Sequence, residues 1–171
     1  MLFLLFSALL PLGASAQEAY AVYTDDGTLT FYYDDLKNTR PGTVYELNTM
    51  YNYPGWQEEH YCDIHKVVFN PSFADARPTS TIYWFEDNME LTEIEGIQYL
   101  NTSEVTYMSM MFYGCDGLVN LDLSGFDTSK VEDFDWMFGD CDNLKTIYCG
   151  DGWTTENVIY SDGMFYVVMN S

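Results

Sequence analysis

Basic residues are scarce in this sequence. It has 6 lysines and arginines against 27 aspartates and glutamates, which gives a formal net charge of -21 at pH 7. A surface this acidic repels the phosphates of nucleic acids. We therefore expect no nucleic-acid partner.

Cysteine is also rare, with 4 in 171 residues, too few for a scaffold held together by disulfides. Disorder is not expected either, because 47% of the residues are hydrophobic and 18% are aromatic. Beyond the first sixteen residues, no apolar run approaches the roughly 20 residues that cross a bilayer. These absences leave an acidic, aromatic-rich globular or repeat protein.

The first sixteen residues form a segment of their own. An apolar run, MLFLLFSALL, precedes the small residues Ala14, Ser15 and Ala16. This order predicts a secretory signal peptide over residues 1–16, cleaved between Ala16 and Gln17, and hence a secreted or cell-surface protein. The run has no preceding Lys or Arg, as such signals commonly have, and an N-terminal core helix is the alternative interpretation.

A repeat runs through the rest of the chain. Four dipeptides recur at spacings of 26 or 27 residues, namely Trp84-Phe85, Met111-Phe112, Met137-Phe138 and Met164-Phe165. Other apolar columns keep the same register, for example Leu91, Leu118 and Leu144. A unit this small buries its apolar face only by stacking on its neighbours. We expect a repeat array over residues 60–171 whose last, incomplete unit leaves an open edge prone to association.

Each unit combines two local patterns. The sequence LVNLDL, which starts at Leu118, has the spacing of a leucine-rich-repeat strand. Met108, Met111 and Phe112 have the i, i+3, i+4 spacing of a helical turn. Together they predict an α/β leucine-rich-repeat solenoid, with one parallel strand and one short helical turn per unit. The residues expected to form one continuous core are Met111, Phe112, Leu118, Leu121, Met137, Phe138, Leu144 and Ile147.

Residues 17–59 lie outside the repeat. Two β-prone stretches flank Asp26-Gly27, which is typical of a tight β-hairpin turn. We expect this segment to be an N-terminal β-rich cap for the array. An independent sugar-binding or enzymatic domain is the alternative.

The residues from Thr102 to Asp127, TSEVTYMSMMFYGCDGLVNLDLSGFD, resemble the repeat of the BspA-like bacterial leucine-rich-repeat surface protein family. The next copy, which starts at Thr128, follows the same pattern. The resemblance implies an exported protein that binds host or matrix molecules, with no catalytic motif and no cofactor. Two positions depart from the pattern. Trp84 occupies the position that is Met in the later units, and Val168 occupies the position that is Cys141 in the unit before it.

Few residues suggest chemistry. His60, Cys62 and His65 are residue types that bind zinc, but their spacing matches no standard finger, and we assign no metal. Cys115 and Cys141 share one repeat position, where they either pack in the core or form a disulfide after export. Cys149 also falls on a core position.

A candidate ligand face follows from the strand register. Residues on either side of the second core position of each strand should point outward. The predicted face consists of Lys66, Glu93, Glu95, Asn120, Asp122, Thr146 and Tyr148. We expect Glu95 and Asp122 to oppose each other on neighbouring strands about 4.8 Å apart, which favours a basic or cation-bridged partner.

The sequence thus predicts an exported, non-catalytic protein of molecular recognition or adhesion. Its ligand would be an extracellular protein or glycan, which the sequence does not identify. Two alternatives belong to other classes. One is a structural module of a longer surface array, and the other is a hydrolase that uses paired carboxylates.

Overall fold

The computed structural model describes residues 16–166. Apart from Ala16, the predicted signal peptide lies outside the described residues, as do residues 167–171. None of the helices within residues 16–166 has the length and apolar character that spanning a bilayer requires.

The fold begins with the predicted hairpin. Strand β1 (Glu18–Thr24) pairs antiparallel with β2 (Thr28–Asp34). Gly27 has a φ of 77° in the turn, and its N–H donates to the carbonyl of Thr24 at 2.9 Å. A left-handed residue here favours glycine, so the hairpin prediction from Asp26-Gly27 is confirmed.

Three more strands complete a mixed sheet. Strand β3 (Thr43–Glu46) pairs antiparallel with β1, and β4 (Lys66–Phe69) pairs parallel with β2. Strand β5 (Glu93–Glu95) adds parallel to β4, which gives the order β3-β1-β2-β4-β5. Helix α1 (Gly55–His60) lies between β3 and β4 in the chain. The described residues also include three short 3-10 helices, at Lys37–Thr39, Pro71–Asp75 and Ile97–Tyr99.

The last two strands form a sheet of their own. Strand β6 (Asn120–Leu123) pairs parallel with β7 (Thr146–Cys149) and not with β5. The predicted α/β leucine-rich-repeat solenoid is therefore wrong. The described chain consists of a five-stranded mixed sheet and a separate parallel pair, and its one α-helix, α1, lies outside the repeated units.

The predicted helical turn fails for a backbone reason. Tyr83, Met110 and Trp136, each directly before its dipeptide, have φ values of 61°, 53° and 56°. A non-glycine residue in this left-handed region costs roughly 1–2 kcal/mol and cannot continue a right-handed helix. The i, i+3, i+4 spacing therefore belongs to a tight irregular turn.

These turns are hydrogen-bonded to one another. We call residues 80–88, 107–115, 133–141 and 160–166 the turn ladder. The N–H groups of each turn donate to carbonyls of the next, as from Phe112 to Met137 at 3.0 Å and from Phe138 to Met164 at 2.9 Å. Parallel bridges connect Ser80, Tyr107, Asp133 and Tyr160 in that order.

A single core joins the hairpin to the repeated units. The Phe31 ring stacks on Phe69 at 4.7 Å and on Trp84 at 4.9 Å between centroids. Of the eight predicted core residues, six are buried in this core, while Leu144 and Ile147 are partly buried against it, so the prediction is confirmed. Cys149 was expected in the core and is instead exposed, because it ends the outer strand β7.

Candidate functional site

The predicted ligand face, called the strand face below, comprises Lys66, Glu93, Glu95, Asn120, Asp122, Thr146 and Tyr148. The expected register holds within each strand pair, with Lys66 beside Glu93 and Asp122 beside Tyr148. Because β5 and β6 do not pair, the face consists of two halves.

In the first half, on β4 and β5, the charged side chains form ion pairs with one another. Lys66 Nζ lies 2.5 Å from Glu95 Oε1 and 3.2 Å from Glu93 Oε2. The hydrogen bond from Lys66 lowers the pKa of the Glu95 carboxyl. The predicted opposition of Glu95 and Asp122 is wrong, because their strands are not neighbours in one sheet and Lys66 holds Glu95.

The second half is more open. Tyr148 is 57% exposed on β7, next to the exposed Asp122 on β6. Asp122 accepts a hydrogen bond from the backbone N–H of Ser124 at 3.0 Å, and the hydrogen bonds from Ser124 lower its pKa. Within residues 16–166, no Lys or Arg forms an ion pair with Asp122. This half presents a carboxylate and a phenol ring to solvent.

A second surface was missed by the sequence analysis. Its members are exposed or half-buried aromatic side chains carried by the turn ladder and by the segment before α1. We call it the turn face, and it comprises Tyr51, Tyr53, Tyr83, Tyr107, Tyr113, Trp136, Tyr160 and Tyr166.

The rings of the turn face contact one another in small groups. The rings of Tyr53 and Tyr83 stack at 4.3 Å, and Tyr51 lies 4.8 Å from Tyr107. Trp136 makes edge contacts with Tyr113 at 6.2 Å and with Tyr166 at 5.2 Å. The sequence signal was weak, because the rings of the turn ladder fall at three different repeat positions and each position is aromatic in only two of the four units.

Side chains outside the repeat hold the first turn in place. Asn48 Nδ2 donates to the carbonyl of Ile82 at 3.1 Å, and Trp56 Nε1 donates to that of Trp84 at 2.8 Å. In the later turns, the equivalent carbonyls accept N–H groups of the preceding turn. The segment before α1, together with Trp56 of α1 itself, thus takes the place of a preceding turn. The same segment carries Tyr51 and Tyr53 onto the turn face.

Carboxylates lie among these rings. Burial raises the pKa of Glu86, and burial together with the charges of Asp140 and Asp116 raises that of Asp87. Burial and the neighbouring Glu86 raise the pKa of Tyr53 to about 12.

The Tyr113 hydroxyl donates to the Asp140 carboxylate at 2.6 Å, and this hydrogen bond, with burial, raises the pKa of Tyr113 to about 12. The described part of the chain provides no ion pair from Lys or Arg to Glu86, Asp87 or Asp140.

The residues considered for zinc are not arranged as ligands. The His60 ring stacks on Tyr23 at 3.7 Å between centroids, while Cys62 and His65 are exposed. Among the described residues, no three His, Cys, Asp or Glu side chains are grouped as a metal site would require.

The buried cysteines are both free thiols. Cys115 donates to the carbonyl of Phe85 at 3.0 Å, and Cys141 donates to that of Phe112 at 2.9 Å. Burial raises the pKa of Cys141 to about 11, so the reactive thiolate is disfavoured near neutral pH. They fill the core behind the turns.

Comparison with known proteins gives one result for the repeated part of the chain. The family described as "Mycoplasma protein of unknown function, DUF285" matches residues 79–170, which is more than half of the chain. Neither the curated proteins nor the solved structures provide a match. The matched region contains the whole turn ladder and strands β5 to β7. The chain belongs to the DUF285 family.

Proposed function

We propose that this protein works outside the cell as a non-catalytic recognition or adhesion protein. It is exported through the signal peptide at residues 1–16 and binds an extracellular protein or glycan. Three points support the proposal: the signal-like N-terminus, the resemblance of residues 102–127 to BspA-like surface proteins, and membership of DUF285.

One observation carries the proposal furthest. The Asp122 and Tyr148 side chains lie side by side on paired strands, exposed and free of any ion pair from the described residues. An exposed phenol ring stacks on sugars or apolar groups, and an adjacent carboxylate accepts hydrogen bonds or pairs with a cation. Such a pair is suited to binding a ligand at the surface.

The test is a screen of residues 17–171 against arrays of extracellular-matrix proteins and glycans. Any ligand found is then titrated against Asp122→Asn combined with Tyr148→Ala. We expect this variant to weaken binding by about tenfold, because both exposed contacts are lost.

The control combines Asp75→Asn with Tyr61→Ala, which removes an exposed carboxylate and an exposed ring that do not belong to the strand face. It should leave affinity unchanged. The proposal fails if neither array gives a ligand, or if the control weakens binding as much as the strand-face variant.

A further inference from the structure

The turn face is unusual for the number of aromatic rings that it leaves in solvent. Tyr51, Tyr53, Tyr160 and Tyr166 are each about half exposed, at 52%, 49%, 55% and 51%. Single exposed apolar residues are common on protein surfaces, whereas contiguous patches mark interaction sites. Three of these rings contact a further ring of the turn face, Tyr51 with Tyr107, Tyr53 with Tyr83 and Tyr166 with Trp136. Tyr160 follows Tyr107 along the parallel backbone bridges that pass through Asp133.

The charge around the rings has one sign. Glu86 accepts a hydrogen bond from Tyr53, and Asp140 accepts one from Tyr113. Asp87 is close enough to Asp140 for their charges to interact, and Asp135 directly precedes Trp136 in its turn. None of these four carboxylates is in an ion pair within residues 16–166. Burial raises the pKa of Glu86, Asp87 and Asp135. Holding these carboxylates ionised therefore opposes folding, and a bound cation would offset that effect.

The strand face provides an internal comparison. There, Lys66 of the same chain is close to both Glu93 and Glu95. Among residues 16–166, no Lys or Arg pairs with the carboxylates of the turn face, which leaves them available to a partner.

We propose that the turn face binds an extended segment rich in Lys and Arg from a partner protein. The cationic groups lie over the faces of the exposed tyrosine rings, and the neighbouring carboxylates pair with them. The surface is separate from the strand face and independent of the ligand proposed there.

A basic segment fits these residues better than a neutral glycan. Aromatic faces attract cations and stack on sugars alike, but only a cation also neutralises the carboxylates among the rings. A neutral sugar would further desolvate carboxylates whose ionised form burial already disfavours. The net charge of -21 also accelerates the approach of a basic partner.

The experiment uses residues 17–171 and a fluorescein-labelled octa-arginine peptide, with a glycine-serine peptide of equal length as the neutral probe. Binding is followed by anisotropy. The test variant is Tyr53→Ala combined with Tyr160→Ala, and the control is Leu36→Ala combined with Tyr61→Ala, two positions outside both the turn face and the strand face. All four positions are about half exposed, and neither double variant changes the charge at neutral pH.

We expect octa-arginine to bind and the neutral peptide not to bind. The test variant should weaken octa-arginine binding by about tenfold, since two cation–aromatic contacts are lost. Tyr53→Phe combined with Tyr160→Phe keeps the rings and should retain the affinity. The control should change it by less than about twofold, because attraction by net charge alone is unaffected.

A second pair of variants tests the carboxylates at constant net charge. Glu86→Gln with Asp135→Asn should weaken octa-arginine binding more than Asp75→Asn with Glu156→Gln, which removes two exposed carboxylates outside both faces. This comparison decides the question if the alanine variant proves less stable.

The proposal is overturned if the test and control variants bind octa-arginine equally, since net charge alone would then explain the binding. It is also overturned if the turn-face variants lose only binding to a neutral oligosaccharide. Neither result bears on the strand face, whose ligand depends on Asp122 and Tyr148.

Discussion

At the scale of single residues, Asn48 does the most to connect the N-terminal segment with the first turn. It is 9% exposed and makes three hydrogen bonds with its side chain amide. Nδ2 donates to the carbonyls of Asn52 and Ile82, while Oδ1 accepts from Trp84 Nε1 at 2.7 Å. Glutamine is the only other residue type with the same donors and acceptor, and its side chain is longer by one methylene.

Asn48→Ala should therefore be strongly destabilising. It leaves the indole N–H of the fully buried Trp84 and the carbonyl of Ile82 without their partners, at a cost of about 2–4 kcal/mol. Urea denaturation followed by tryptophan fluorescence measures the change. Thr49→Ala, at the exposed neighbouring position, is the control and should shift the free energy of unfolding by less than about 0.5 kcal/mol. A similar loss for both variants would contradict the assigned role.

This role of Asn48 could not be predicted from the sequence, for a physical reason. Apolar columns reveal themselves by spacing, whereas a side chain that caps carbonyls 34 residues away leaves no periodic signal. The same holds for the turn face, since Tyr51 and Tyr53 reach it from outside the repeat.

At the scale of elements, the sequence predicted the hairpin and the pairing of neighbouring strands, because both depend on short local patterns. The Asp26-Gly27 turn gave the hairpin, and the repeat columns gave the pairings of Lys66 with Glu93 and of Asp122 with Tyr148. The break between β5 and β6 was not predictable, because strand ends depend on backbone geometry that apolar spacing does not encode. After β5, Gly96 adopts a φ of 71°, which ends the extended strand.

The direction of hydrogen bonding in the turn ladder gives a prediction for single amides. The N–H groups of Trp136 and Phe138 donate to the carbonyls of Asp162 and Met164, both at 2.9 Å. Those of Gly163 and Phe165, at the equivalent positions one turn later, have no acceptor among residues 16–166. Native-state hydrogen exchange should therefore be at least about tenfold slower at Trp136 and Phe138.

Phe112 is a suitable internal control, because its N–H also donates to the next turn, at 3.0 Å to the carbonyl of Met137. It should exchange at least as slowly as Phe138. Equal protection of Phe138 and Phe165 would show that the ladder does not end where the described hydrogen bonds do, and would contradict the expected open edge.

At the scale of the whole molecule, charge is the dominant feature. The chain has a net charge of -21, and four of its six basic side chains already lie in ion pairs with carboxylates. Most of the 27 acidic groups therefore repel one another without compensation. This repulsion destabilises the compact folded state. It acts between charges that are far apart, so salt screens it effectively.

Salt should accordingly stabilise this protein. Raising NaCl from about 0.02 M to about 0.5 M shortens the screening length from roughly 20 Å to roughly 4 Å, so repulsion falls more than the short ion pairs weaken. We expect the thermal midpoint, measured by circular dichroism, to rise by several degrees. Calcium chloride at equal ionic strength serves as the control and should give the same midpoint, because the described residues include no group of three metal-binding side chains. A midpoint that falls with NaCl would mean that the ion pairs outweigh the repulsion, and an additional rise with calcium would reveal a specific cation site.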